Sequence, residues 1–312
     1  MSYDVIVVGG GPAGLSAALV FGRQRRKVLV IDGGAVRNAR AAEMHMYLSR
    51  DGAPPAELLE TGRKELTAYP SVEVRDGHVV AASGHKEAFE VELADHTTER
   101  ARRLVLATGQ VDEPYDIEGL PERFGHSVFH CPFCHGWEAR DKTLAVITRE
   151  PFEAMLALYV ADRFSNDVVL CTDGPLEIPA EIQTQLDERG VQVADAPITR
   201  LTGEADDLTI EFADGRTLRR QAIFHRAPTR QHSALAAQLG CEILPDGTVQ
   251  VDELQQTTVP GVAAAGDTAK LERVPDATTL VVLGAADGVR TALWMETDLF
   301  RSDLGLDPPS AG

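Results

Sequence analysis

Asp4-Val5-Ile6-Val7-Val8-Gly9-Gly10-Gly11-Pro12-Ala13-Gly14 is the part of this chain with the fewest physical interpretations. An apolar run from Asp4 to Val8 meets Gly9, Gly11 and Gly14 in G-x-G-x-x-G spacing. Ala17 to Gly22 then read as a helix, Lys27 to Ile31 as the next strand, and Asp32 closes that strand. Strand, glycine turn, helix and terminal acid together are the βαβ context of a dinucleotide site. The first glycine makes the tight turn. The second lets a pyrophosphate approach bare backbone, and the third lets helix and strand pack closely. The helix start offers its unpaired N–H groups to phosphate oxygens. Asp32 is placed to accept hydrogen bonds from ribose hydroxyls and would repel a 2′-phosphate, which disfavours NADP here. Three glycines alone would also make an ordinary turn; the flanking elements are what point to a nucleotide.

Two distant segments extend this domain. Arg103 to Ala107 reads as a strand ending in Ala107-Thr108-Gly109, and Gly261 to Ala265 lead into Gly266-Asp267. An Asp after a glycine at a strand end can bond a polyol chain. Because it lies so far from the first fingerprint, the domain is expected to be built from both chain ends with another domain inserted between them. A length of 312 residues suits two domains. A polar, acidic region from Val72 to Arg100 reads as hairpin-like, with turns at Asp76-Gly77 and Ser83-Gly84. Glu211 to Arg216 is a second hairpin signal.

In the middle of the chain stands Cys131-Pro132-Phe133-Cys134-His135. Two cysteines three apart can close a small disulfide and pass two electrons as a pair. Proline stiffens the loop and removes a donor. One thiol must ionise to attack or be attacked. His135 can take a thiol proton as neutral imidazole or steady a thiolate as imidazolium. C-x-x-C-H is also the haem attachment pattern, but no export signal precedes it. Zinc needs four ligands, and no second cysteine pair accompanies flanking His126 and His130, so no metal is expected. Cys171 and Cys241 are isolated and read as core packing.

The formal charge of −18 opposes nucleic acid and anionic membrane surfaces. No run is long or apolar enough to span a bilayer, and the start carries no basic n-region or cleavage pattern. A cytoplasmic chain is the expectation, and cysteines there point to catalysis rather than a disulfide framework.

Val8 to Gly14, Ala107-Thr108-Gly109, the central C-x-x-C and Ala264-Ala265-Gly266-Asp267 resemble the low-molecular-weight thioredoxin reductases over nearly the whole chain. The resemblance implies an α/β chain of two Rossmann-like domains, often a homodimer, with FAD as cofactor. By that pattern Gly9, Gly11, Pro12, Ala13, Gly14 and Asp32 hold the ADP half, and Asp267, after Gly266, bonds the ribityl chain. Thr279, Leu280 and Val281 lie near the isoalloxazine. Gly33, Asn38, Ala107, Thr108 and Gly109 are further flavin-side candidates. His45, in a loop from Met44 to Gly52 that resembles the one lying along the flavin, is another. The expected domains are 1–114 with 246–312 for FAD, and 115–245 for the inserted lobe carrying the C-x-x-C.

That lobe departs from the family. Its strand Thr143 to Ile147 is followed by Thr148-Arg149-Glu150-Pro151-Phe152-Glu153, with no glycine for a pyrophosphate. The next strand, Val168 to Cys171, runs into an acidic stretch with no Lys or Arg between Arg163 and Arg189. The lobe is expected to keep its architecture without binding NADPH. His135 stands where the reductases carry Asp. The run Cys131 to Glu138 looks like the dithiol oxidase branch, which includes the gliotoxin, holomycin and romidepsin disulfide-forming enzymes. That branch implies oxidation of a small or protein dithiol with O₂ taking the electrons, Cys134 facing the flavin and Cys131 exchanging with substrate. A reductase fed by a donor other than NADPH, such as a ferredoxin, and a flavin redox sensor are the rival readings.

Overall fold

The computed structural model describes residues 2–306; the Pro/Ser/Gly-rich tail from Asp307, which reads as frayed in sequence, lies outside them. The chain begins β1 (Tyr3–Val8), α1 (Pro12–Arg23), β2 (Val28–Asp32), α2 (Pro55–Leu66), β3 (Val72–Asp76), β4 (Val79–His85), β5 (Ala88–Leu93) and β6 (Thr98–Leu106). β1 pairs in parallel with β2 on one side and β6 on the other, and β3 adds in parallel beyond β2. Successive side chains alternate between two cores. Val5, Val7, Val28, Val30 and Val105 enter one, while Ile6, Val8, Leu29, Ile31, Leu104 and Leu106 enter the other. A sheet buried on both faces needs apolar residues at every position, which is why β1 and β2 read as unbroken runs. α1 starts at Pro12, ahead of the apolar stretch from Ala17, because proline's missing N–H costs nothing at a helix's first position.

The region from Val72 to Arg100 differs from its sequence expectation. β3 is a parallel strand of the main sheet rather than one arm of a hairpin. Ser83 and Gly84 lie inside β4, opposite Glu90 and Phe89. The chain reverses at Lys86-Glu87, where Glu87 takes φ +76°. Gly84 marks close approach, not a turn: a Cβ there would sit 2.2 Å from the Ala88 carbonyl oxygen.

The middle of the chain holds β7 (Gln110–Asp112), α3 (Leu120–Arg123), β8 (Val128–Phe129), α4 (Pro132–His135), β9 (Leu144–Ile147), α5 (Met155–Arg163), β10 (Val168–Cys171), α6 (Ala180–Glu188) and β11 (Gln192–Ala194). Then follow β12 (Ile198–Glu204), β13 (Asp207–Phe212), β14 (Thr217–Arg220), β15 (Ala222–Phe224) and β16 (Thr229–Gln231). Five strands form a parallel sheet in the order β11-β10-β9-β15-β8, and β12 to β14 form an antiparallel sheet. Leu144, Val146 and Leu170 pack with α5 and α6 residues; Ala145, Ile147 and Cys171 pack with Ile198, Leu208 and Ile210 of the small sheet. Burial pushes the Cys171 thiol up to about 12, so it is inert filling.

His225, fully buried after β15, ties this unit together. Its Nδ1–H donates to the Ile147 carbonyl at 3.1 Å and its Nε2 accepts from the Tyr115 N–H at 3.3 Å. Burial, against the backbone bond to Ile147, carries its pKa down to about 4. The folded value lies below the unfolded one, so the contribution is whole above the unfolded pKa and is lost as pH falls toward the folded one. Stability is expected to drop by roughly 3 kcal/mol between about pH 6.5 and 4 from this residue. Urea unfolding at stepped pH checks it; a His225→Phe variant with the wild-type slope in that window would refute it.

The chain closes with α7 (Leu235–Leu239), β17 (Val249–Val251), β18 (Val262–Ala264), β19 (Ala269–Leu271) and α8 (Val281–Asp303). β18 pairs with Leu104 to Leu106 of β6, alongside the stretch of β6 that pairs with β5. Both chain ends therefore build one unit. The other unit comprises residues 40–46 and 112–229. The return crossing falls at Thr229/Arg230 rather than at 245/246, because α7 packs on β4 and Leu235, Ala236 and Cys241 fill the first unit's core. The outward crossing is at 111/112 rather than 114/115. Residues 40–46 join the second unit, where Arg40 Nη1 donates to the Pro121 carbonyl at 2.6 Å. Among the described residues no helix is long and apolar enough to cross a membrane.

Candidate functional site

The glycine turn after β1 is built for close approach. Gly9 takes φ +111°, and a Cβ on it would lie 2.2 Å from the Ala107 carbonyl oxygen. A Cβ on Gly14 would lie 1.9 Å from the Gly9 carbonyl oxygen. Gly11 alone faces open space, with nothing within 4 Å of an added Cβ. It is also the N-cap of α1 and brings no capping side chain, so the first N–H groups of that helix stay available to an anion. Pro12 and Ala13 form the first turn. The spacing did not single out Gly10, yet a Cβ there would strike the Asp32 carboxylate at 2.4 Å.

Asp32 is buried at the end of β2 and accepts from the Gly34 N–H at 3.0 Å. Its other oxygen pairs with Arg63 of α2. Arg63 carried no sequence signal, since it sits in an amphipathic helix among other polar residues. Gly33 abuts the His78 ring, 2.5 Å from an added Cβ. Asn38 is half-buried in the loop beyond.

The two distant strand ends meet. Thr268 accepts from the Gly109 N–H at 2.6 Å and lies 3.2 Å from the Thr108 hydroxyl. Thr268 follows Asp267, and Arg37 Nη1 donates to Asp267 Oδ2 at 3.1 Å. Neither Thr268 nor Arg37 was legible beforehand. α8 follows Thr279 and Leu280; it too lacks a capping side chain at its start, and its first intrahelical bond runs from the Gly284 N–H to the Leu280 carbonyl at 2.9 Å. A Cβ on Gly288 would lie 2.0 Å from the Ala13 carbonyl oxygen, so α8 packs directly on the start of α1. The open Gly11, the uncapped α1, Asp32 and Asp267 fit an FAD: backbone donors for phosphates, and carboxylates for ribose and polyol hydroxyls.

In the second unit Cys131 is the N-cap of the single turn α4, Pro132 is its first residue, and Cys134 and His135 complete it. Both cysteines are partly exposed. The His135 ring stacks on Phe129, with centroids 4.5 Å apart and planes 12° from parallel. Its Nδ1 is buried without a hydrogen-bond partner among the described residues. Burial lowers its pKa, Glu138 opposes that, and His45 adds to it. An imidazole whose pKa is held below its ordinary value is mostly neutral near pH 7 and is able to accept a proton. Phe129 was not anticipated. His45 lies in the second unit, with Nε2 3.7 Å from both Glu43 and Glu138 carboxylates. His130 Nδ1 stands 3.7 Å from Asp112. Trp137 is 67% exposed, with the Arg140 guanidinium 4.0 Å over its ring.

The turn after β9 is closed by its own side chains. Thr148 Oγ1 donates to Glu153 at 3.0 Å and accepts from the Glu150 N–H at 3.0 Å. The Arg149 N–H donates to the Tyr115 hydroxyl at 3.0 Å. The Arg149 guanidinium lies 4.3 Å over the Tyr115 ring, and its Nε donates to Asp173 Oδ2 at 2.8 Å. Asp173 is thus a neutralised partner of Arg149, not the bare repelling anion that the charge pattern suggested.

The pyridine nucleotide-disulphide oxidoreductase family matches residues 3–280. Thioredoxin reductase tcpT of Claviceps purpurea is 36% identical over 286 residues, 88% of this chain and 89% of that protein. Thioredoxin reductase sirT of Leptosphaeria maculans is 31% identical over 286 residues, 86% of this chain and 87% of that protein. Among solved structures HlmI is similar at TM-score 0.89 and 38% identity, over 97% of this chain and 94% of that one. An oxidoreductase from Agrobacterium tumefaciens is similar at TM-score 0.88 and 35% identity, over 98% of this chain and 100% of that one.

Proposed function

The chain belongs to the pyridine nucleotide-disulphide oxidoreductase family, as an FAD-dependent disulfide oxidoreductase, and from that premise we propose that it is a thiol oxidase. A substrate dithiol is converted to its disulfide, and O₂ is reduced to H₂O₂. The observation that carries this is the half-buried imidazole of His135, stacked on Phe129 one residue after Cys134, with its pKa held below the ordinary value by burial. The self-filled turn after β9 supports the exclusion of NADPH, since its backbone donors at 149 and 150 already have partners.

His135 takes the proton of the first substrate thiol. The resulting thiolate attacks one sulfur of the Cys131–Cys134 disulfide, forming a mixed disulfide and releasing the other cysteine as thiolate. The second substrate thiol loses its proton and displaces the attached cysteine, so substrate leaves oxidised and the cysteine pair is left reduced by two electrons. By resemblance Cys131 exchanges with substrate and Cys134 passes the pair on. FAD would be held by Gly9 to Gly14, Asp32 and Asp267 and would supply the two-electron acceptor chemistry of the site.

Aerobic incubation with a dithiol is expected to yield peroxide in proportion to disulfide formed. Stopped-flow mixing of the oxidised holoprotein with NADPH is expected to leave its flavin absorbance unbleached on the turnover timescale. Rapid bleaching by NADPH, or dithiol consumption without peroxide, would move the protein to the reductase side.

A further inference from the structure

Arg63 stands on α2, and nothing in the thiol chemistry uses it. Its guanidinium bridges the ends of two neighbouring strands. Nη2 donates to Asp32 Oδ2 of β2, and Nη1 donates to Asp76 Oδ1 of β3 at 3.0 Å. Asp32 and Asp76 are register partners in that parallel pair. The Asp76 side chain is 85% exposed, whereas that of Asp32 is 10% exposed. Without a cation between them, two like charges would stand side by side at the sheet end, one of them largely removed from water. α2 is itself seated on α1, since a Cβ on Gly62 would come 3.3 Å from Leu15 Cδ1.

The Asp32 carboxylate is fixed from three sides. The Gly34 N–H donates to Oδ1 at 3.0 Å, and Arg63 holds Oδ2. The bare backbone of Gly10 lies against the carboxylate, where an added Cβ would sit 2.4 Å from Oδ2. A carboxylate offers about four lone-pair positions on its two oxygens, and these bonds take one on each. One position on each oxygen stays open, which matches the two adjacent hydroxyls of a ribose. Such a pair of acceptors selects a ribose only while the plane of the carboxylate is held, and Arg63 is the one side chain that hydrogen-bonds it among the described residues.

We propose that Arg63 is the positioning residue for adenosine recognition: by holding Asp32 Oδ2 it turns the remaining acceptors toward the ribose hydroxyls. The assignment rests on Asp32 meeting the adenosine ribose of FAD, as set out above. The full-length protein, stripped of flavin, is titrated by flavin fluorescence with FAD and with the 2′-deoxyadenosine analogue of FAD, and unfolding midpoints check folding. Wild type is expected to prefer FAD by about tenfold or more, the worth of a hydrogen bond to a charged acceptor. Arg63→Met keeps an unbranched, helix-favouring stem and removes both donor bonds, and its preference is expected to fall below about threefold. Arg63→Ala is read by the same criterion. A general loss of stability weakens both flavins together and leaves the ratio where it was. A preference that stays at or above about threefold in these variants overturns the proposal. Asp32→Ala runs beside them. A preference that survives there, or that wild type lacks, removes the ribose assignment of Asp32 and the proposal with it. Loss there with retention in Arg63→Met removes only the positioning role.

Discussion

Cys134→Ser is expected to reduce dithiol oxidation to the uncatalysed rate while the protein stays yellow. A serine oxygen cannot close a disulfide with Cys131, so no electron pair is stored, and the loss is total rather than graded. His135→Asn answers a different question, because it leaves the sulfur pair intact and removes only the base. The expected loss in kcat/KM is about 10²- to 10⁴-fold, the usual worth of a positioned general base. The pH profile carries the sign. Burial holds the His135 pKa below its ordinary value, so the acid limb of kcat/KM should lie below about 6.5 and vanish in His135→Asn. The Glu138 carboxylate holds that pKa up, so Glu138→Gln should move the limb to still lower pH. Peroxide release measured from pH 5 to 9 reads all three variants. Full turnover in Cys134→Ser would end the mechanism; an unmoved limb in Glu138→Gln would remove His135 as its owner.

Asp298→Ala is expected to be the most damaging single change to the fold. Arg103 on β6 is fully buried, with Nε donating to Asp298 Oδ2 at 2.7 Å and Nη1 to Glu87 Oε1 at 2.6 Å. Its Nη2 is buried without a partner among the described residues. Burial would raise the Glu87 pKa, but hydrogen bonds from Arg102, Ser302 and Arg103 carry it down to about 2, so the carboxylate stays charged at every working pH. Removing Asp298 leaves a guanidinium half-paired inside the protein, at a cost of about 3–5 kcal/mol. For a chain of this size that is a fall of roughly 5–8 °C in Tm. Arg103→Met combined with Asp298→Leu should recover most of it, since an apolar pair of similar volume avoids the uncompensated charge. A loss under about 1 kcal/mol in Asp298→Ala would show that the network is redundant.

Much of the glycine turn after β1 was legible because it depends on backbone geometry, which local residue choice controls. Gly9 and Gly14 are glycine because any Cβ would collide with a carbonyl oxygen, and such constraints leave a fixed spacing in the chain. Gly10 shows the limit: its collision is with a side chain contributed by β2, so no local pattern announces it. The misplaced turn at Ser83-Gly84 has the same origin. A glycine in a strand where backbones crowd is locally indistinguishable from a glycine that reverses the chain.

The order of the residues alone determined the α/β class, the glycine cradle, the paired cysteines with their histidine, and the lack of glycine after β9, because each is a short-range matter of φ, spacing or composition. Tertiary packing decided which partners the charges have: Arg63 on Asp32, Arg37 on Asp267, Arg149 on Asp173, Phe129 under His135. It also decided that residues 40–46 go with the second unit. Those pairings join positions up to hundreds of residues apart. A carboxylate or imidazole acquires its protonation and its role from desolvation and neighbouring charge, which exist only once the chain has closed around it.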